Sequence, residues 1–338
     1  MRTRHVLAAS VGALALATTG CSGTSGTTAA SSSAAPNTSA SASSSDSASS
    51  SASGSAPVKV AFITKFPVAF YTAMVDSAKA YAAKNPAADV TFFSCKSPSD
   101  VACQTAQIED AVAKGFQAMV ITPMGPEVVP AMNAAADKGI KIVLADNDLA
   151  AFTKKTAVAA TDNVKGGQAA GAYLKSVLKS GDTIGLMEGV RGVPALDARI
   201  KGVQDALQGT GVKVIIGGAE SKCDAAKGAA VAEDLLTRSP NLTAIYSACD
   251  DPAISAAKVA KQKGKTVLVM GYDGLPDAAK AIQAGDMRAT IAQFPGKMAA
   301  LGLEAAVKAV QGASVEAFID TGTQLVTKDN AASFLAFQ

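Results

Sequence analysis

From residue 58 onward the chain alternates two hydrophobic periods. Short unbroken runs of β-branched and small apolar residues are followed by Ala-rich stretches whose apolar positions recur every three or four residues. Unbroken runs predict strands buried on both faces. They fall at 58–64, 90–93, 118–121, 140–145, 157–160, 183–187, 212–216, 244–247, 266–270 and 289–293. The stretches between them predict amphipathic helices over 69–84, 99–114, 127–138, 164–178, 194–207, 224–238, 252–263, 276–284 and 296–310. Asp137-Lys138-Gly139 supplies a helix end, with glycine just past the last turn. Strand–helix alternation at this spacing predicts an α/β fold of parallel sheets flanked by helices. So many strands in the 282 residues from Pro57 to Gln338 are better divided into two sheets than held in one.

Before residue 57 the pattern is different. Arg2 and Arg4 precede an apolar run over 6–17, and Cys21 follows Thr18-Thr19-Gly20. A basic start, a short apolar stretch and a small-residue junction predict an export signal over 1–21. The run is too short to span a bilayer. The junction resembles a lipoprotein cleavage site, with Thr18 where Leu is usual, and makes Cys21 the expected lipid anchor. Residues 22–56 are almost wholly Ser, Ala, Thr and Gly, with one charge at Asp46. Such a stretch cannot bury enough apolar surface to offset its ordering entropy and predicts a disordered tether. As a flexible coil it would span ~30–35 Å. The expected location is outside the cell, lipid-anchored on the outer face of the cytoplasmic membrane.

Composition narrows the function. Lys and Arg total 31 against 28 Asp and Glu, and Arg2 and Arg4 lie in the signal, so the rest is near neutral. With no Trp and no basic patch, nothing points to nucleic acid. The single histidine, His5, lies in the signal. Beside Cys21 the cysteines are Cys95, Cys103, Cys223 and Cys249, an even number that suggests two disulfides and allows three pairings. Cys95 with Cys103 closes a short loop. The spacings lack the CxxC pattern of a zinc site, and no metal is expected. No G-x-S-x-G elbow, HExxH or phosphate loop occurs, so no enzyme activity and no cofactor are expected. Gly166-Gly167 lacks the strand–GxGxxG–helix setting and suits close helix packing.

In α/β sheets ligands sit beyond the carboxyl ends of the strands. Those ends carry Lys65, Phe70 and Tyr71; Asp146, Asn147 and Asp148; Glu188, Arg191 and Asp197; Asp250 and Asp251; Asp273; and Gln293. Carboxylates accept hydrogen bonds from hydroxyls, and aromatic faces suit the C–H faces of a sugar ring. Asp162 fits a helix N-cap. Asp250 and Asp251 fit either a cap or a ligand contact, and Arg199 a brace between loops.

The motifs T-D-N-V-K-G-G at 161–167, G-Y-D-G-L-P-D at 271–277 and A-T-I-A-Q-F-P at 289–295 resemble those of periplasmic sugar-binding proteins of the ribose-binding type. The resemblance runs from about 58 to 328. It implies two doubly wound parallel-sheet lobes joined by three hinge crossings, near 161–162, 293–294 and 321–323. Lobe 1 would be 57–161 plus 294–321, and lobe 2 would be 162–293 plus 322–338. It implies that Phe70 and Tyr71 sandwich a sugar, and that Asp146, Asp273 and Gln293 bind its hydroxyls. Lys65, Asn147, Asp148, Asp197 and Asp250 complete the expected ligand set. Cys223 and Cys249 stand at two ligand-contacting positions of the family, which would place them together at the cleft and pair them. The same fold serves in sugar-responsive repressors, but here an exported tether stands where those carry a DNA-binding domain. The expected function is a monomeric solute-binding lipoprotein that captures a small sugar or polyol and delivers it to an ABC permease. The alternative is a sensor presenting a sugar-like or amine-bearing ligand to a membrane receptor.

Overall fold

The computed structural model describes residues 56–97 and 100–337. The expected signal, Cys21 and all but the last residue of the expected tether lie outside the described residues. So does Ser99, where the second helix is predicted to begin.

Twelve strands and nine α-helices follow one another among the described residues. They are β1 (Val58–Ile63), α1 (Ala69–Lys84), β2 (Ala88–Phe93), α2 (Val101–Ala113), β3 (Ala118–Ile121), α3 (Val129–Asp137), β4 (Lys141–Ala145), β5 (Ala157–Ala160) and α4 (Asn163–Val177). Then come β6 (Thr183–Met187), α5 (Pro194–Leu207), β7 (Lys213–Ile216), α6 (Ala225–Arg238), β8 (Ala244–Ser247), α7 (Asp250–Gln262) and β9 (Leu268–Asp273). The chain ends with α8 (Pro276–Ala284), β10 (Ala289–Ala292), α9 (Pro295–Val310), β11 (Phe318–Asp320), β12 (Gln324–Val326) and a 3-10 turn, Ala331–Phe334.

The strands form two six-stranded sheets, ordered β2-β1-β3-β4-β5-β11 and β7-β6-β8-β9-β10-β12. Every pairing is parallel except β10 with β12. Each sheet is covered on both faces, which is why its inner strands are apolar without alternation. In lobe 1, one face packs under α1 and α9 around Phe62, Met74 and Leu303, and the other under α2 and α3 around Ile108, Met132 and Leu144. In lobe 2, Leu174, Val203 and Tyr246 pack beneath α4 and α5, while Leu235, Ile282 and Phe334 fill the opposite face. Glycines set the α4–α5 contact. A Cβ on Gly202 would fall 2.3 Å from the Gly167 carbonyl carbon, and one on Gly167 would fall 2.5 Å from the Ala198 oxygen.

The chain passes between the sheets three times: after β5, after β10, and between β11 and β12. Asp162 caps α4 through Val164 N and Lys165 N, both at 3.1 Å. Its own N–H donates to Asp320 across to the third crossing, at 3.3 Å. Lys165 Nζ lies 3.2 Å from Asp162 and 3.1 Å from Asp320, tying two crossings together at the surface. β11 and β12 are absent from the sequence prediction, because three residues are too few to carry a period.

Candidate functional site

Both sheets turn their carboxyl ends toward the same place. On the lobe-1 side β4 ends at Ala145, and Asp146 takes φ 67°, a left-handed conformation that Asp tolerates better than most residues. This turn presents the Asp146 carboxylate. It accepts from Tyr71 Oη at 3.1 Å and from Asn147 Nδ2 at 3.0 Å. Tyr71 stands in the first turn of α1 with Phe66 and Phe70 edge-on to its ring, each at 5.7 Å. Lys65 Nζ lies 5.8 Å from the same ring centre. The loop bearing Lys65 is tied by Cys95 N, which donates to Lys65 O at 3.0 Å. Cys95 is itself disulfide-bonded to Cys103 in α2.

On the lobe-2 side β9 ends at Asp273, with φ 129°, followed by Gly274 with φ 75°. Gly274 is required there, since a Cβ would fall 2.4 Å from that of Ala292. Asp273 Oδ1 accepts from Arg199 Nη1 at 2.9 Å and Gln293 Nε2 at 2.8 Å. Arg199 is 5% exposed, stacks 3.9 Å over the Tyr272 ring, and also donates to Asn163 Oδ1 at 2.8 Å and Ala248 O at 2.9 Å. The next residue, Cys249, is bonded to Cys223.

Burial governs the charges. It pushes Asp273 up to about 6, against the opposing pull of Arg199 and Gln293, with Asp146 adding to the rise. Asp146 is also raised by burial, opposed by Lys65, Arg199 and Tyr71. Burial lowers Lys65, with Asp146 opposing, and raises Tyr71 well above the usual phenol value. For Arg199, burial is the largest influence and works against the charge, but Asp273 together with Tyr272, Tyr246 and Asp146 outweighs it, and the guanidinium is raised. Fields of Arg199 at Asp146 and of Asp146 at Asp273 cross the gap between the lobes, so the two half-sites face one another.

The structure thus brings together Lys65, Phe70, Tyr71, Asp146, Asn147, Asp273 and Gln293. It does not bring Asp148, Asp197 or Asp250 into this group. Asp148 is exposed and paired with Lys155. Asp197 lines a groove between α5 and β7 and accepts from Gly192 N at 3.0 Å. Asp250 is fully buried inside lobe 2, where Thr290 Oγ1 donates to it at 2.7 Å and Leu275 N at 2.8 Å. It fastens the β9–α8 turn, and burial together with Asp273 raises it to about 7. Sequence reasoning placed Arg199 as a brace and missed its contact with the Asp273 carboxylate. The available signal was its register, since Arg199 shares the buried stripe of α5 with Val203.

Against known proteins, the model of the periplasmic binding protein domain matches residues 60–314. The D-ribose/D-allose-binding protein of Pseudomonas aeruginosa is 31% identical over 271 residues, 76% of this chain and 85% of that protein. The ribose import binding protein RbsB of Escherichia coli K12 is 31% identical over 236 residues, 69% of this chain and 78% of that one. The crystal structure of an ABC transporter solute binding protein from Mycobacterium smegmatis with bound glycerol superposes with a TM-score of 0.74 at 29% identity, covering 83% of this chain and 98% of that one. With two wound sheets, strand-end carboxylates facing one another and a family match over most of its length, the chain belongs to the periplasmic binding protein domain family, in its ribose-binding type.

Proposed function

We propose that this protein is the extracytoplasmic solute-binding component of an ABC importer and captures a small neutral sugar or polyol between its lobes. The observation that carries this reading is the facing pair of carboxylates. Asp146 from lobe 1 and Asp273 from lobe 2 are each oriented by neighbouring donors, with Lys65 balancing one charge and Arg199 the other. A site with two anions and two cations suits a neutral ligand that both donates and accepts. Phe70 and Tyr71 add apolar ring surface beside the carboxylates. Ligand contacts to both lobes would favour the closed arrangement, the form a permease would engage. The names of the relatives, import proteins and transporter components, favour transport over sensing.

Cys21 would carry the lipid anchor, and residues 22–56 the tether to the membrane. Labelling with a radioactive fatty acid that is lost in Cys21→Ala supports the anchor, and equal labelling of both overturns it. The ligand reading is tested by calorimetry of residues 57–338 with D-ribose, D-allose, other pentoses and hexoses, and polyols. A ligand at 100 times its Kd raises stability by ~2.7 kcal/mol, so a thermal shift serves as the first screen. Binding of a sugar or polyol at micromolar Kd or tighter is expected. Silence across that panel, with a response to amines or acids, would overturn the neutral-ligand reading.

A further inference from the structure

One ring contact lies outside everything used so far. The 3-10 turn after β12 is anchored in lobe 2, where Ala331 and Phe334 are buried in the cluster that holds Ala278, Ala279 and Ile282 of α8. Leu335 and Ala336 then run exposed over the surface. Phe337, half-buried, meets Phe70 of α1 edge-to-face, with ring centres 6.0 Å apart and planes at 88°. Phe70 packs on the lobe-1 cluster with Met74 and Ala78. A segment rooted in one lobe therefore places an aromatic ring on the other. The contact continues inward: Phe70 is edge-on to Tyr71 at 5.7 Å, and Tyr71 donates to Asp146.

The lobes cannot part at this edge without separating the two rings, because Phe337 moves with lobe 2 and Phe70 with lobe 1. We propose that Phe337 is a latch, a positioning residue that docks on Phe70 when the lobes close, holds the Phe70–Tyr71 pair in place and slows ligand release. The inference rests on the reading that a sugar or polyol is held between the lobes. Its effect belongs in the dissociation rate, since capture by the open form precedes docking. An edge-to-face pair of this kind corresponds to a roughly threefold to tenfold change in an equilibrium or rate. Deletion of the Phe337 ring is expected to raise koff by that factor and leave kon within about twofold.

The absence of Trp from the chain provides a direct probe. In Phe337→Trp the single indole reports its own docking, without and with D-ribose, D-allose and the polyols above. Blue-shifted emission protected from acrylamide in either state, and lost when Phe70→Ala is added, supports the latch. Red-shifted, freely quenched emission in every state overturns it. Phe337→Ala and the conservative Phe337→Leu are then compared by stopped flow with whichever sugar binds. A faster koff in Phe337→Ala that Phe337→Leu partly restores, with Tm of the ligand-free protein unchanged, supports the latch. Equal koff in all three proteins overturns it. Should no sugar or polyol bind, the proposed function fails, while the indole measurement still decides whether the latch forms.

Discussion

The two half-sites hold their carboxylates by different means. In lobe 1, Asp146 is oriented by neutral donors, the Tyr71 hydroxyl and the Asn147 amide, with Lys65 acting through space. In lobe 2, Asp273 is in direct contact with a buried guanidinium that is itself fastened to Asn163 and to the Ala248 carbonyl. Neutral hydrogen bonds can be removed at modest cost, whereas taking one member from a buried ion pair strands the other charge. The lobe-1 half thus holds its carboxylate with few ties to the core, whereas the lobe-2 half is fastened into the core through Arg199.

The largest expected effect separates the halves most sharply. Arg199→Leu should destabilise the ligand-free protein by about 3–5 kcal/mol, because it leaves Asp273 buried without its partner. Adding Asp273→Asn should recover part of that loss, which a double-mutant cycle in urea would show. Next come the carboxylates themselves. Asp146→Ala and Asp273→Ala should each weaken sugar binding by more than tenfold, about 1.4 kcal/mol. Only Asp273→Ala should also lower Tm, since it orphans Arg199. Equal Tm values for the two would erase the asymmetry, and unchanged affinity in both would remove these residues from the site.

A third effect is read by pH. Asp273 at about 6 and Asp250 at about 7 are both raised above the ~3.9 of an unfolded Asp. The folded protein then holds more protons than the unfolded chain through that window. The contribution of these groups to stability falls as pH rises from about 4 to 7 and levels off above. Asp250→Asn should flatten the fall, and a slope identical to wild type would refute that source. The smallest effects belong to single neutral donors. Asn147→Ala and Gln293→Ala should each weaken binding by a few fold, consistent with ~0.5–1.5 kcal/mol for one hydrogen bond.

Most of the architecture was legible because parallel strands covered on both faces leave continuous apolar runs, and the strand-end rule then selected Asp146, Asp273 and Gln293. What was illegible depended on direction rather than position. Asp250 stands one helix start away from the cleft, yet it points into lobe 2 because the β9–α8 turn offers it Leu275 N. Asp148 and Asp197 follow strand ends as expected, but each finds a nearer partner, Lys155 for the one and Gly192 N for the other. Arg199 was hidden because a charged residue on an apolar helix stripe reads as a brace until its partner strand is in place. β11 and β12 drew their identity from neighbours far away in sequence, which no local pattern records.

The threefold passage between sheets has a consequence for the order of events during synthesis. The lobe-1 sheet takes its edge strand from residues 318–320, and one of its faces is covered by α9 at 295–310. A chain emerging from its amino end therefore holds five strands of lobe 1 with one apolar face covered by α1 but not by α9 while all of lobe 2 from α4 to β10 is being made. Contacts this remote in sequence form late and slowly. A lobe-1 fragment that ends at the first crossing lacks its edge strand and the α9 cover of one face, and lobe 2 in turn awaits β12 and the core residues Ala331 and Phe334.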